Sequence, residues 1–423
     1  MTRWPFHPLS TDDVRVVHVL RKYDPREWGG TETHVVEITR RLALRGFEPI
    51  VHAPKGPTTR DEALASNVPL VRYRSFLPFV GKATTRRALV ANAGNIASLE
   101  EPLRLLLDPR VQLCHLHTTG RIGGGVRTAM RLTGRPYVVS VHGPMFANKG
   151  WLTEDHQKRS RGAIDLGAPI GALLGARHVV DDAARVITFN EEERKALAER
   201  IGSRAVRMDH GVDRERLSSG SIERARGRRT WAAFANAPVV ALIGRIAAQK
   251  NQVFAVRAFA AGAPADHHLV LAGAATDAGY RDAIQREAET LGVRDRVHLL
   301  GNVSAKDEIP DLLALAKLLI VPSTHEAFGL AVLEGWAAQR PVLFAHHSGL
   351  SDLAAAVGNN GSSVPELDVE VWAAAMKGLL GNEEKCRSLA ETGHAIVSSR
   401  YDWDRVVDRL ISLYRDVLLE AAR

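Results

Sequence analysis

Two carboxylates, Glu326 and Glu334, stand with seven residues between them around Gly329, where an apolar-periodic helix opens. Upstream, the buried-type run Leu318-Leu319-Ile320-Val321 reads as a strand that ends at Pro322, and a polar loop then carries Glu326. Downstream, a second strand from Pro341 to Ala345 leads to another glycine turn at Gly349. The pattern puts a helix N-terminus at the C-terminal edge of a parallel sheet. Free N–H groups and the helix dipole there attract a phosphate. Carboxylates beside it accept hydrogen bonds from hydroxyls. The chemistry this suits is the holding of a polyhydroxylated anion.

A second group lies earlier. Gly244-Arg245 ends a strand and Lys250 follows five residues later, near a helix start. A guanidinium fork beside a compact ammonium suits a pyrophosphate. Either cation alone reads as solvated surface, but their coincidence with Glu326 at another strand end of the same sheet favours one anion site. Gly29-Gly30-Thr31-Glu32 opens the first helix and would let backbone approach a ligand closely. It is not a G-x-G-x-x-G element, so a dinucleotide is not indicated.

His142-Gly143 closes a strand in the first half, which would place His142 at a ligand-facing edge. His115 and His117 alternate along a strand end and, without a matched third ligand, read as strand-end polar residues. His267-His268 and His346-His347 read as surface or loop pairs. Asp402-Trp403-Asp404 has the D-x-D form of metal-holding transferases, yet it precedes an amphipathic helix where aspartate is expected as cap. No metal site is expected.

These residues need elements to position them. Short β-rich runs alternate with helical patterns, the signature of βαβ units and parallel sheets. Strands are expected at Val14–Leu20, Glu48–Ala53, Val111–His115, Tyr137–His142, Arg185–Phe189 and Ala205–Met208. A second set is expected at Val239–Ile243, His268–Ala272, Val297–Leu299, Leu318–Val321 and Val342–Phe344. Helices fall between them, including Thr31–Arg45, Gly123–Leu132 and Glu191–Arg200, with others beginning near Asn251, Tyr280, Ala305 and Gly329.

The expected layout is a flexible segment 1–13, a first Rossmann-like domain 14–217, a connector 218–235, a second Rossmann-like domain 236–401 and a C-terminal helix 402–423. At 423 residues, two domains are the natural division. A net charge of +8 fits anionic partners, but the basic residues are scattered rather than striped, and nucleic acid is not expected as a partner. Two cysteines make no disulfide framework, and no apolar leader or membrane-spanning run is seen, so a cytoplasmic location is expected. Basic clusters at Lys82–Arg87, Lys158–Arg161 and Arg224–Arg229 leave room for peripheral membrane contact.

In these motifs the chain resembles glycosyltransferase family 4. The resemblance runs from WGGTETHVVEITRRLALRGFEPIVHAP through LIGRIAAQKNQ to EAFGLAVLE, nearly the whole length. It implies the α/β GT-B fold, with two doubly wound domains facing across a cleft and the C-terminal helix crossing back to the first. It implies retaining transfer from a UDP- or GDP-sugar to an acceptor hydroxyl of a glycan or glycolipid, with no cofactor and no required metal. By position, Gly29 and Gly30 would lie under the donor phosphate, and Arg245 and Lys250 would neutralise the leaving diphosphate. Glu326 would bind sugar hydroxyls, His142 the sugar near its reacting carbon, and Glu334 the ribose. Gly301, Asn302 and Val303 would frame the base, while Phe328, Gly329, Leu330 and Ala331 would bring backbone to the phosphates.

Three departures stand out from the family pattern: His210 before Gly211-Val212-Asp213, Asp352 for a later glutamate, and Ala327 for a frequent glycine. Acceptor recognition is expected around 76–87 and 145–161. A non-catalytic nucleotide-sugar binder and a GT-B epimerase are the alternatives.

Overall fold

The computed structural model describes residues 14–23, 29–55, 68–81, 96–143, 145–146, 163–275, 278–304, 306–347 and 349–423. The segment 1–13, the clusters Lys82–Arg87 and Lys158–Arg161, and most of 145–161 lie outside them. The chain forms two units, Met1–Met208 with Trp403–Arg423, and Asp209–Asp402.

In the first unit the strands are β1 (Arg15–Val19), β2 (Glu48–Pro54), β3 (Leu70–Tyr73), β4 (Phe79–Gly81), β5 (Val111–Leu116), β6 (Tyr137–Val141), β7 (Ala163–Asp165), β8 (Arg185–Thr188) and β9 (Ala205–Arg207). Seven of them form a parallel sheet in the order β3-β2-β1-β5-β6-β8-β9, and β4 pairs antiparallel with β7. The helix Gly30–Ala43 connects β1 to β2, and Gly120–Leu132 connects β5 to β6. The strands β3, β4 and β7, at three or four residues each, are too short for periodicity to reveal them. The helix Gly120–Leu132 starts before the predicted Gly123.

In the second unit β10 (Val239–Ile243), β11 (His268–Ala272), β12 (Val297–Gly301), β13 (Ala316–Val321), β14 (Val342–Ala345) and β15 (Ser363–Val364) form a parallel sheet in the order β12-β11-β10-β13-β14-β15. Every residue of β10 is buried, as expected of a central parallel strand covered on both faces. Val240, Leu242, Leu269, Leu271, Leu318 and Ile320 continue into a core with Phe254, Phe259 and Trp372. Chain order reverses direction on either side of β1 and of β10. The C-terminal ends of β1/β5 and β10/β13 are therefore topological switch points, where open α/β sheets bind ligands.

The long helix Trp403–Ala422 belongs to the first unit, as expected. Its Tyr414 hydroxyl meets His115 Nδ1 at 2.6 Å, its Trp403 ring is buried 5.7 Å from His34, and Arg45 pairs with Asp404 at 2.9 Å and Asp408 at 3.0 Å. Asp402, just before the helix, pairs with Arg214 at 3.3 Å. Among the described residues, no helix is long and apolar enough to cross a membrane.

The stretch 218–235 is not a connector. It packs into the second unit, whose border falls at Met208/Asp209. Ser221 caps the helix Ile222–Gly227, and Trp231 and Phe234 are buried. Asp311, fully buried, accepts from Ser221 N at 2.9 Å, from Arg224 at 2.7 Å and from Arg228 at 2.8 Å. The basic character that reads as a linker is thus matched to one buried carboxylate. Asp311→Ala is expected to destabilise the second unit by roughly 1.5–3 kcal/mol, the range for hydrogen bonds to a charged group, because the stranded arginines can turn to water. Chemical denaturation of the variant beside the parent checks this.

Candidate active site

At the switch point of the second sheet, β10 ends in Gly244-Arg245 and β13 runs into the loop Ser323–Phe328. The chain beyond β10 stays in register with β11: Gly244 N donates to Ala272 O at 2.9 Å and Ile246 N to Ala274 O at 2.9 Å. A short 3-10 turn, Ala248–Lys250, follows. It is tied to the second loop by three hydrogen bonds: Thr324 N and Oγ1 donate to Gln249 O at 2.9 and 3.3 Å, and Gln249 Nε2 donates to His325 O at 2.8 Å. Gln252 Nε2 donates back to Arg245 O at 2.8 Å.

This bracing brings Lys250 onto Glu326, and their side chains form an ion pair that is 18% and 9% exposed. Ser323 Oγ donates to the same Glu326 oxygen, Oε1, at 2.8 Å. Burying the pair is tolerable because each charge has its partner and the carboxylate accepts a further hydrogen bond. Arg245 is exposed, and its guanidinium makes no hydrogen bond or ion pair with the described residues. The cation set therefore divides: Lys250 is held by the carboxylate, while Arg245 is available to a ligand anion.

Beyond Glu326, Gly329 turns the chain with φ +86° into the helix Leu330–Ala337, a left-handed conformation that favours glycine. A Cβ at Gly329 would also run into Leu350. Leu330 and Ala331 supply first-turn N–H groups, which lack carbonyl partners within a helix. Gly349, with φ +84°, packs directly on the Glu326 carbonyl, leaving no room for a side chain. His347 Nε2 meets Ser323 O, so this histidine braces the loop rather than sitting on an open surface. Phe328 is buried against His210, 5.8 Å away, and Tyr401, 5.7 Å away. Its ring packs the protein, with His210, the departure noted above, as one ring partner.

Glu334 lies half-buried on that helix. Removal from water pushes its carboxyl above the usual range, with Arg216 and Lys250 pulling the other way. Gly301 ends β12 with φ +71°, and its carbonyl accepts from Gly273 N at 2.8 Å. Together with Ile246, Gly273, Ala275, Arg281 and Leu300 it lines a recess at the same sheet edge. Asn302 is exposed and Val303 half-buried beside it.

In the first unit, Gly29 caps the helix Gly30–Ala43 in extended conformation, and Thr33 N donates to its carbonyl at 3.1 Å. Gly30 is exposed. The nearby Glu32 carboxyl is raised by burial, opposed by bonds to backbone N–H groups of Glu32 and Gly29 and by Lys22 and Arg21. His142 follows β6, half-buried, with its Nε2 2.9 Å from His117 Nδ1. His115 and His117, at the end of β5, are buried members of a histidine cluster with His18. His18 carries no motif signal: it sits inside the apolar run RVVHV, and only the pairing of β1 with β5 brings it opposite His115.

This geometry agrees with what the chain resembles. Residues 29–209 match the glycosyl transferase 4-like domain, and residues 223–395 match glycosyl transferases group 1. The chain is a glycosyltransferase of GT-B fold.

The D-inositol 3-phosphate glycosyltransferase of Mycolicibacterium smegmatis is 28% identical over 405 residues, covering 91% of this chain and 86% of the relative. That of Nocardia farcinica is also 28% identical, covering 93% and 86%. Among solved structures, Anabaena Alr3699/HepE in complex with UDP and glucose superposes with a TM-score of 0.71 at 19% identity, covering 95% of this chain and 100% of that one. Sucrose-phosphate synthase from Thermosynechococcus elongatus superposes with a TM-score of 0.73 at 18% identity, covering 96% and 100%.

The raised Glu334 carboxyl of this glycosyltransferase has a stability consequence. A carboxyl whose folded pKa lies above its unfolded one contributes stability while protonated, in full below the ordinary value of 4.5, and loses it as pH rises through the raised value. Glu334→Gln keeps the group neutral throughout. The ligand-free variant should therefore melt above the parent at about pH 8, with the difference vanishing at about pH 4. Thermal unfolding across that range checks it.

Proposed function

We propose that the chain is a retaining glycosyltransferase of the family 4 type that moves a sugar from a nucleotide diphosphate donor to an acceptor hydroxyl without a metal. The observation that carries this reading is the Lys250–Glu326 pair beside exposed Arg245, at a helix start opened by Gly329. Cations and helix N–H groups there suit a diphosphate, and a carboxylate within reach suits sugar hydroxyls. Both hydrogen bonds that Glu326 accepts fall on Oε1, which leaves Oε2 to accept from a hydroxyl of the donor sugar.

The sugar–phosphate bond breaks as the acceptor oxygen bonds to the same carbon from the same face, and the departing phosphate oxygen takes the acceptor proton. Arg245, Lys250 and the N–H groups of Leu330 and Ala331 stabilise the charge growing on that phosphate. Glu334 holds the ribose, and the recess at Gly301 receives the base. In the first unit, Gly29 and Gly30 are the residues we assign to the donor phosphate and His142 the one we assign to the sugar near its reacting carbon.

Structures that bind UDP or UDP-glucose are among those this chain resembles, which supports a uridine donor over a guanosine one. The acceptor we propose is a growing cell-surface polysaccharide or a glycolipid, met in the cytoplasm with at most peripheral membrane contact. The relatives' naming for D-inositol 3-phosphate favours a second reading, in which the acceptor is a small phosphorylated polyol.

Incubation with UDP- and GDP-hexoses, read first as thermal stabilisation and then as donor turnover, tests the reading. Glu326→Ala should cut turnover by about 10²-fold or more while the melting curve stays cooperative, the scale seen when one transition-state contact is removed. Excess chelator should leave the parent's rate unchanged. Near-normal turnover in Glu326→Ala, or a rate abolished by chelator and restored by magnesium, would contradict the assignment. Stabilisation by a nucleotide sugar with no turnover would point to a binding module.

A further inference from the structure

Three imidazoles of the first unit form a hydrogen-bonded row that runs inward from His142. His142 Nε2 lies 2.9 Å from His117 Nδ1, and His117 Nε2 lies 3.1 Å from His18 Nδ1. The rings are close to coplanar, at 29° and 17°. His18 and His117 are buried, and burial pushes His18 down to about 3 and His117 well below the ordinary histidine range. Both rings are therefore neutral at neutral pH, and each carries one N–H.

With His142 neutral as well, one proton per ring and one proton per shared hydrogen bond allow only two arrangements of the row. In one, His18 Nδ1–H donates to His117 Nε2, His117 Nδ1–H donates to His142 Nε2, and His142 carries its proton on Nδ1. In the other every bond is reversed, and the row ends inward at an N–H on His18 Nε2. That atom is buried without a hydrogen-bond partner. A buried donor with no acceptor is rarer and less tolerable than an acceptor short of a donor. The first arrangement is therefore selected at the buried end of the row. Neighbouring His115 shows the contrast: its nitrogens meet Tyr414 OH at 2.6 Å and Ser140 Oγ at 2.7 Å, hydroxyls that can donate or accept, so its tautomer is not dictated.

We infer that His18 and His117 are positioning residues that hold His142 in the tautomer with its proton on Nδ1. His142 then presents a hydrogen-bond donor at Nδ1 and cannot take a proton there. Resting on the reading that His142 contacts the sugar near its reacting carbon, this makes it a donor to a sugar or acceptor oxygen. The acceptor proton must then leave by another route, which in the proposed mechanism is the phosphate oxygen.

A metal held by His18, His115 and His117 is the competing use of these rings, since their nitrogens lie within 4.8 Å of one another. His18 Nδ1 and His117 Nε2 already face each other at 3.1 Å as hydrogen-bond partners, and His117 Nδ1 is taken by His142. Both His115 nitrogens are also already engaged.

Histidine 15N chemical shifts in the ligand-free wild-type protein, with His142 assigned by its loss in His142→Gln, read the tautomer directly and need no activity. The expected pattern for His142 is a pyrrole-like Nδ1 and a pyridine-like Nε2. His117→Phe removes the donor to Nε2 and should bring the two His142 nitrogens toward intermediate values. His117→Gln offers an amide N–H in its place and should keep the parent pattern. A protonated Nε2 in the wild type overturns the inference, as does an unchanged pattern in a folded His117→Phe. Stoichiometric zinc whose removal shifts the His18 and His117 signals overturns it as well. Because this readout is independent of transfer, full activity in His142→Gln would strike the catalytic reading while leaving the tautomer result to stand.

Discussion

The candidate site depends on the lateral bracing of two strand ends in the second sheet. β10 and β13 are neighbours, and the loops that leave them exchange three hydrogen bonds through Gln249. This exchange sets Lys250 against Glu326 and closes a buried ion pair that neither residue could support alone. A buried charge stripped of its partner costs about 3–5 kcal/mol, so the pair fixes the loop as firmly as the loop fixes the pair. Two glycines complete the arrangement: Gly329 lets the helix start where the loop ends, and Gly349 lets a third loop close on the Glu326 carbonyl. A carboxylate already neutralised by lysine can accept sugar hydroxyls without repelling a diphosphate beside it.

The first unit solves a related problem with neutral groups. Its switch point gathers His18, His115 and His117 from β1 and the end of β5, with His142 after β6. Burial keeps the inner imidazoles uncharged, so their hydrogen-bond polarity can be transmitted without moving charge. The helix Trp403–Ala422 takes part in this arrangement, since Tyr414 reaches His115 and Trp403 packs on His34. A segment at the end of the chain thereby supports residues at its beginning.

Much of the fold was legible because parallel strands buried on both faces read as unbroken apolar runs, as Val239–Ile243 and Leu318–Val321 do. Glu326, Gly329 and Glu334 were legible because glycine and acidic residues around an apolar helix leave a mark at fixed spacing. The Lys250–Glu326 contact was not, since it depends on which strands are neighbours. The same limit hid His18, a polar residue inside an apolar strand whose partners arrive from nearly a hundred positions away. The stretch 218–235 misread as a connector for a related reason: its arginines look solvated until buried Asp311 is placed among them. Phe328, inside the motif that carries Glu326 and Glu334, has a ring that packs the protein.

The central claim is that Lys250 and Glu326 form the diphosphate–sugar site of the second unit. Calorimetric titration of UDP and UDP-glucose into the parent, Lys250→Ala and Glu326→Ala tests it most directly. Loss of one charge-assisted contact corresponds to roughly 10- to 100-fold in affinity. The account predicts a loss of that size for both ligands in Lys250→Ala, and in Glu326→Ala a loss confined to whatever UDP-glucose gains over UDP. Undiminished UDP affinity in a folded Lys250→Ala protein would contradict it.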